Sequence, residues 1–306
     1  MATEKAITAD RSNLTRFAWL SIGAAVTTIT LKITAYLLTG SIGLLSDAIE
    51  SGVNLIGAIM ALGMLSVAAR PADEEHAFGH NKAEYFSSIV EGILILIAAI
   101  SIIWTSVGRL INPQPLESLG IGLLVSVGAS VLNLVVGQIL IRTGKKNNSI
   151  TLEADGHHLM TDVWTSGAVI LGVGLVALTG WLPLDSLVAI CAALNIIYTG
   201  VNLVRRSVAG MMDVSLPDGE MEAIEKVMTG YREKGAQFHS LRTRQAASMR
   251  FIAVHMLVPG KWNVHDAHHL AEKFEKDIEK ALGEVSVITH LEPIEDEIST
   301  AHLLEK

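Results

Sequence analysis

One cysteine, Cys191, is all that this chain of 306 residues contains, and it lies within an apolar run, so no internal disulfide can form. Charge is scarce as well: 18% of the residues are Asp, Glu, Lys or Arg, against roughly 25% in an ordinary soluble domain. A wholly soluble protein is thereby disfavoured, and a membrane protein with a soluble part is expected. Positive charge is in the minority, with a formal net charge of -8, so a nucleic-acid partner has no electrostatic support. No HExxH or comparable hydrolytic arrangement occurs, which disfavours a membrane metalloenzyme. The first 16 residues are polar and precede an apolar run long enough to span, so no cleaved signal peptide is expected.

What the sequence does have is long apolar runs. Six of them approach or exceed the roughly 20 residues needed to cross a bilayer: 17–38, 42–68, 86–110, 119–141, 159–178 with a polar helical lead-in from Thr151, and 184–204. The loops alternate in positive charge. Arg11, Arg16, Arg70, Lys82, Arg142, Lys145, Lys146, Arg205 and Arg206 flank one side, whereas the first and fifth loops carry no Lys or Arg and the third only Arg109. By the positive-inside rule both termini are cytoplasmic. Lys32 sits inside the first span, where a side chain turned into the bundle or snorkelling to the surface is the favoured reading over a role in a path.

After Asp213 the composition becomes that of a soluble domain. Residues 218–233 read as an amphipathic helix with Met221, Ile224, Val227 and Met228 on one face. Residues 238–245 and 249–258 alternate like paired strands, 264–282 form a second helix, and 285–291 a last strand. The order αββαβ suits a small sheet with helices on one side. The expected organisation is a cytoplasmic N-terminal segment over 1–16, a membrane domain over 17–210, an α+β domain over 211–295 and a frayed tail over 296–306.

Ionisable groups within or at the mouth of a span are costly and usually mark an ion or proton path. His158 and Asp162 are four apart, so a helix puts them on one face, and Glu50 and Asn54 repeat that spacing. Two carboxylates, an imidazole and an amide supply four donors for a tetrahedral divalent cation, and two negative charges balance it. Asp47 and Asp155 lie one turn earlier on the same faces, as proton-relay groups, as supports of the ligands or simply as helix-end residues. His157 points about 100° away and reads as structural. Counting about 1.5 Å per residue puts Asn54 about 18 Å and Asp162 about 27 Å from the outer ends. A shared site therefore requires the fifth helix to project outward, tilt or be offset.

Two further clusters stand outside the spans. Asp73, His76 and His80 are three and four apart in the second loop and can chelate a cation weakly. In the soluble domain His239 and His255 fall on paired strands, His268 on the second helix, and His290 and Glu292 on the last strand, enough for one or two metal sites. His265, His269 and His302 read as surface residues.

Together these features resemble the cation diffusion facilitator family over nearly the whole chain, closest in kind to its bacterial zinc and iron exporters. The resemblance rests on Gly40-Ser41, Pro71-Ala72-Asp73 through Phe78-Gly79-His80 with Lys82 and Glu84, His158 to Asp162, Leu216-Pro217, Leu241-Arg242-Thr243-Arg244 and His290. It implies six transmembrane helices with a cytoplasmic ferredoxin-like domain, a homodimer in a bacterial inner membrane, and export of divalent metal in exchange for protons. Zn²⁺ leads, with Fe²⁺, Mn²⁺ and Co²⁺ open. It implies that Glu50, Asn54, His158 and Asp162 form the transport site, that Asp73, His76 and His80 form a loop site, and that His239, His255, His268, His290 and Glu292 form a binuclear site at the dimer interface. It also implies an interlocking salt bridge between Lys82 and Asp213. The second span departs from the family pattern, because Glu50 and Asn54 stand where Asp or His and then Asp are usual; a water or Asp47 would complete the shell. The rival reading is a membrane-bound metal sensor or scaffold that binds without transporting.

Overall fold

The computed structural model describes residues 13–40, 42–112 and 121–296. The expected tail beyond Asp296, most of the N-terminal segment, His302 and Ser41 lie outside the described residues. Six long helices come first: α1 Thr15–Thr39, α2 Ile42–Ala68, α3 Ala83–Ile111, α4 Ile121–Lys146, α5 Ile150–Thr179 and α6 Pro183–Met211. All six are long and apolar enough to cross a membrane. Then follow α7 Asp218–Arg232, β1 Gln237–Ala246, β2 Met249–Val258, α8 Val264–Leu282 and β3 Val285–Pro293. The chain divides into two compact units, 1–208 and 209–306.

The membrane unit reverses the pattern of a soluble bundle. Its outer surface carries large apolar side chains such as Ile97, Trp104 and Leu178, while Lys32, Asn54, Glu91, Asn133, Asp155 and His158 are buried. Lipid solvates the former, and each buried polar group must find a partner inside. Lys32 does so by donating from Nζ to Ser51 Oγ at 2.8 Å, which puts it in the bundle interior. Leu65, Val136, Leu140, Leu152 and Leu159 form the apolar part of the core.

Close packing of α4 on α5 depends on small residues. A Cβ on Gly156 would lie 2.8 Å from the Gly137 carbonyl oxygen and 2.9 Å from the Ile141 nitrogen, and one on Gly144 would lie 2.7 Å from the Glu153 nitrogen. Only glycine lets the two backbones approach this way. The start of α5 is fixed by Ser149, whose hydroxyl accepts from Leu152 N–H and donates to Glu84 Oε2 at 2.6 Å. This helix runs unbroken through its polar lead-in for 30 residues, about 45 Å, so it extends well beyond a hydrocarbon core of about 30 Å.

In the C-terminal unit β2 is central, antiparallel to β1 and parallel to β3. Ile252, Val254 and Met256 alternate along β2 into a core with Ile224, Met228 and Tyr231 of α7 and Phe274 and Ile278 of α8. Tyr231 meets Phe274 edge-on with ring centroids 5.4 Å apart. A bulge in β1, with Ser240 at φ 53, lets Phe238 and Leu241 both reach this core although they are three apart. The expected αββαβ order, with α+β ferredoxin-like character, is the one observed.

Candidate metal centres

The residues of α2 and α5 with matching spacing converge in part. Asn54 Nδ2 donates to Asp162 Oδ2 at 2.5 Å, and His158 Nε2 lies 2.5 Å from Asn54 Oδ1. Asn54 and His158 are 4% and 6% exposed, so an imidazole, a carboxylate and an amide face one another away from bulk solvent. A fourth side chain comes from α4, where Asn133 Nδ2 donates to the same Asp162 oxygen at 2.9 Å.

Glu50 behaves differently. It is exposed, and among the described residues it joins no group of three acidic or histidine ligand atoms within 4.8 Å. Glu50 and Asn54 share a face of α2, yet Asn54 is buried against α5 whereas Glu50, one turn earlier, is exposed. The Asp47 side chain lies outside the described residues. Asp155 is buried but faces α1, accepting from Ser21 Oγ at 2.9 Å. On α3 lies Glu91, fully buried, whose Oε1 accepts from Ser87 Oγ at 3.1 Å. His157 sits 3.9 Å from Glu153, whose carboxylate receives two hydrogen bonds from Arg206.

In the loop after α2, Asp73 gathers both histidines. Its Oδ1 is 3.3 Å from His76 Nδ1 and its Oδ2 is 3.4 Å from His80 Nε2. The turn is closed by Gly79 at φ 81, whose N–H donates to the His76 carbonyl. Hydrogen bonding from the His76 backbone N–H, reinforced by the two imidazoles, holds the Asp73 carboxyl below the usual carboxylate range. The three donors lie within 4.8 Å of one another.

The sheet of the C-terminal unit carries the third cluster on the face turned away from its core. Register places His239 beside His255 and His255 beside His290, so three imidazoles form a row across three strands. Ring centroids are 4.8 Å apart in the first pair and 4.9 Å in the second. Glu292, two residues beyond His290 on the same face, is 2.9 Å from His239 Nε2 and 2.8 Å from His255 Nδ1, with His290 Nε2 at 3.5 Å. Burial opposes ionisation of Glu292, but hydrogen bonds and charge from His239 and His255 outweigh it and hold the carboxyl below its usual range. The expected fifth member, His268, is not gathered within one chain. It projects from α8 into solvent, 62% exposed and 3.7 Å from Glu272. His265 and His269 meet edge-on on the same helix, centroids 4.4 Å apart.

Lys82 and Asp213, expected as an interlocking pair, belong to different units. Within its own unit Lys82 is the residue before α3, and Asp213 accepts from Arg244 at 3.1 Å. Sequence reasoning overlooked Asn133, Ser21 and Glu91. Glu91 carries the same signal that singled out Asp162, an ionisable group inside a span, and Asn133 interrupts the apolar run of its own.

Two family models match the chain, the cation efflux transmembrane domain over residues 18–212 and the cation efflux protein cytoplasmic domain over 216–294. Among similar proteins, an uncharacterized transporter of Synechocystis is 49% identical over 286 residues, covering 94% of this chain and 92% of that protein. The cation-efflux pump FieF of Klebsiella pneumoniae is 30% identical over 281 residues, covering 92% and 93%. Among solved structures, the metal-bound C-terminal domain of the CzcD transporter from Thermotoga maritima is 28% identical, covering 27% of this chain and 99% of that one with a TM-score of 0.24.

Proposed function

Because the chain belongs to the cation efflux family, the cation diffusion facilitators, it is an integral membrane transporter of divalent metal cations, and we propose that it exports Zn²⁺ foremost, in exchange for protons, as a homodimer. The observation that carries this reading is the cluster of His158, Asp162 and Asn54 inside the spans. Fe²⁺, Mn²⁺ and Co²⁺ are secondary cargoes, since one imidazole among oxygen donors suits each of them in some degree.

In this proposal the cation enters from the cytoplasm and binds the neutral imidazole of His158 and the ionised carboxylate of Asp162, with Glu50 as an additional anion on the approach along α2. The bundle then turns outward. Protons compete with metal because the ligands bind deprotonated, so protonation of His158, with Asp162 contributing, releases the cation outside. Asp155 and Glu91, buried carboxyls inside the spans, offer a place for protons to wait. The loop donors Asp73, His76 and His80 exchange metal at the cytoplasmic side. Metal bound by His239, His255, His290 and Glu292, joined by His268 of a second copy, tightens the dimer. The charge of the loops favours cytoplasmic termini, and likeness to the bacterial relatives supports a bacterial inner membrane as the location.

A membrane-bound sensor or scaffold is the second reading, favoured by the three-histidine row in the C-terminal unit, which needs no transport to bind metal. The deciding experiment is Zn²⁺ flux into liposomes under an imposed pH gradient, compared with Asp162→Ala. Proton-driven flux in the native protein, lost by more than the roughly 10–100-fold typical of removing a residue that only orients a ligand, is expected. Intact flux in the variant would remove Asp162 from the site, and absence of any flux alongside metal binding would favour the sensor.

A further inference from the structure

We propose that Asn133, on α4, is a ligand of the transported cation and sets its selectivity, its carboxamide oxygen joining His158 and Asp162 in place of the carboxylate that Asn54 replaces. The inference rests on the transport-site reading above and adds a third helix to it.

Asn133 is 1% exposed, and its Nδ2 donates to Asp162 Oδ2, the oxygen that also accepts from Asn54. Its Oδ1 is buried with no hydrogen-bond partner among the described residues, and so is His158 Nδ1. Buried polar groups are hydrogen-bonded in the great majority of cases, so an orphaned carbonyl oxygen beside a carboxylate needs a reason. Oδ1 and Nδ2 share one carbon, which keeps the unpartnered oxygen at the edge of the cluster. A divalent cation on Asp162 would displace the amide hydrogens from the carboxylate and draw both amide oxygens toward itself. Asn133 would then turn about its final torsion and satisfy its lone pairs.

The donor set becomes one imidazole, one carboxylate and two amide oxygens. Oxygen donors suit Mn²⁺ and other hard cations, whereas imidazole suits Zn²⁺ and Fe²⁺. Asn133 therefore broadens the site away from Zn²⁺ alone. A merely structural role for Asn133 would use only its N–H donors to orient Asp162, and the two roles respond oppositely to substitution by aspartate. The Asn133→Asp change keeps an oxygen at this place and removes the donors.

The test uses the full-length chain with the other clusters disabled by Asp73→Ala and His255→Ala. Metal affinity is measured by equilibrium dialysis with Zn²⁺ and Mn²⁺, the coordination by the visible spectrum of bound Co²⁺, and flux in liposomes. Asn133→Leu is expected to weaken Mn²⁺ binding roughly tenfold or more, to weaken Zn²⁺ less, and to change the Co²⁺ spectrum as an oxygen ligand is lost. Asn133→Asp is expected to bind both metals at least as tightly as the native protein. An unchanged Zn²⁺ to Mn²⁺ ratio and Co²⁺ spectrum in Asn133→Leu would overturn the assignment, and so would an Asn133→Asp protein that folds yet binds as poorly as Asn133→Leu. If the native protein carries no metal across the bilayer, the transport reading fails while the dialysis and spectra still decide the ligand.

Discussion

Glu292 shows how much one carboxylate organises. It touches His239, His255 and His290, and the imidazoles keep it ionised below the usual carboxylate range. Its contribution to folding is therefore fully present above the unfolded value of about 4.3 and is lost only as pH falls through its lower native value. Metal and protons compete for the same ligand atoms, so acidification should strip metal from this cluster. Glu292→Gln keeps the shape and removes the charge, so Zn²⁺ affinity of the C-terminal cluster should fall at least about tenfold, equivalent to ~1.4 kcal/mol. Competition titration of the full chain with a chelating dye checks this, and an unchanged affinity would show that the histidines alone hold the metal. The partners of Glu292 were legible from strand alternation, because period-two patterning puts His290 and Glu292 on one face. The separation of His268 was not, because a helix position in sequence does not say which way α8 turns over the sheet.

The pairing of α4 with α5 matters at the level of elements because it brings Asn133 to Asp162. The glycines that permit it are backbone-to-backbone contacts, which cannot relax by a side-chain rotation. Gly156→Val should overpack this interface and cost about 1–3 kcal/mol, read as a lower midpoint in thermal unfolding of the detergent-solubilised protein. The displaced helices should also lower flux, whereas Gly167→Ala on the same helix, whose Cβ would meet nothing within 4 Å, should leave both unchanged. Equal behaviour of the two variants would refute the packing argument. The six long helices were readable from hydropathy, yet their ends were not. Hydropathy sees the solvent a residue prefers, while the start of α5 is decided by Ser149 and Glu84, a capping contact between residues 65 apart in sequence.

The whole molecule combines a bundle solvated by lipid on its outer surface with a unit built around an apolar core of its own. Its family makes it a cation efflux transporter, and its three clusters of donors divide the proposed work between the spans, a loop and the sheet. If metal at the sheet tightens a homodimer, Zn²⁺ should shift the full-length protein toward dimer in sedimentation experiments, and His255→Ala should abolish that shift. A dimer indifferent to Zn²⁺ and to this substitution would leave the cluster without a role in assembly.

By itself the sequence determined the class of the protein, the number of long apolar helices, the αββαβ order and the helical spacing of His158 with Asp162. Each of these follows from composition or from a local period, which the chain carries wherever it folds. Tertiary structure alone decided that α4 supplies Asn133, that Glu50 is exposed, that Asp155 faces Ser21 and that His268 stands apart from the other histidines. Those outcomes depend on how the helices pack, and this is set by contacts between residues far apart in the chain.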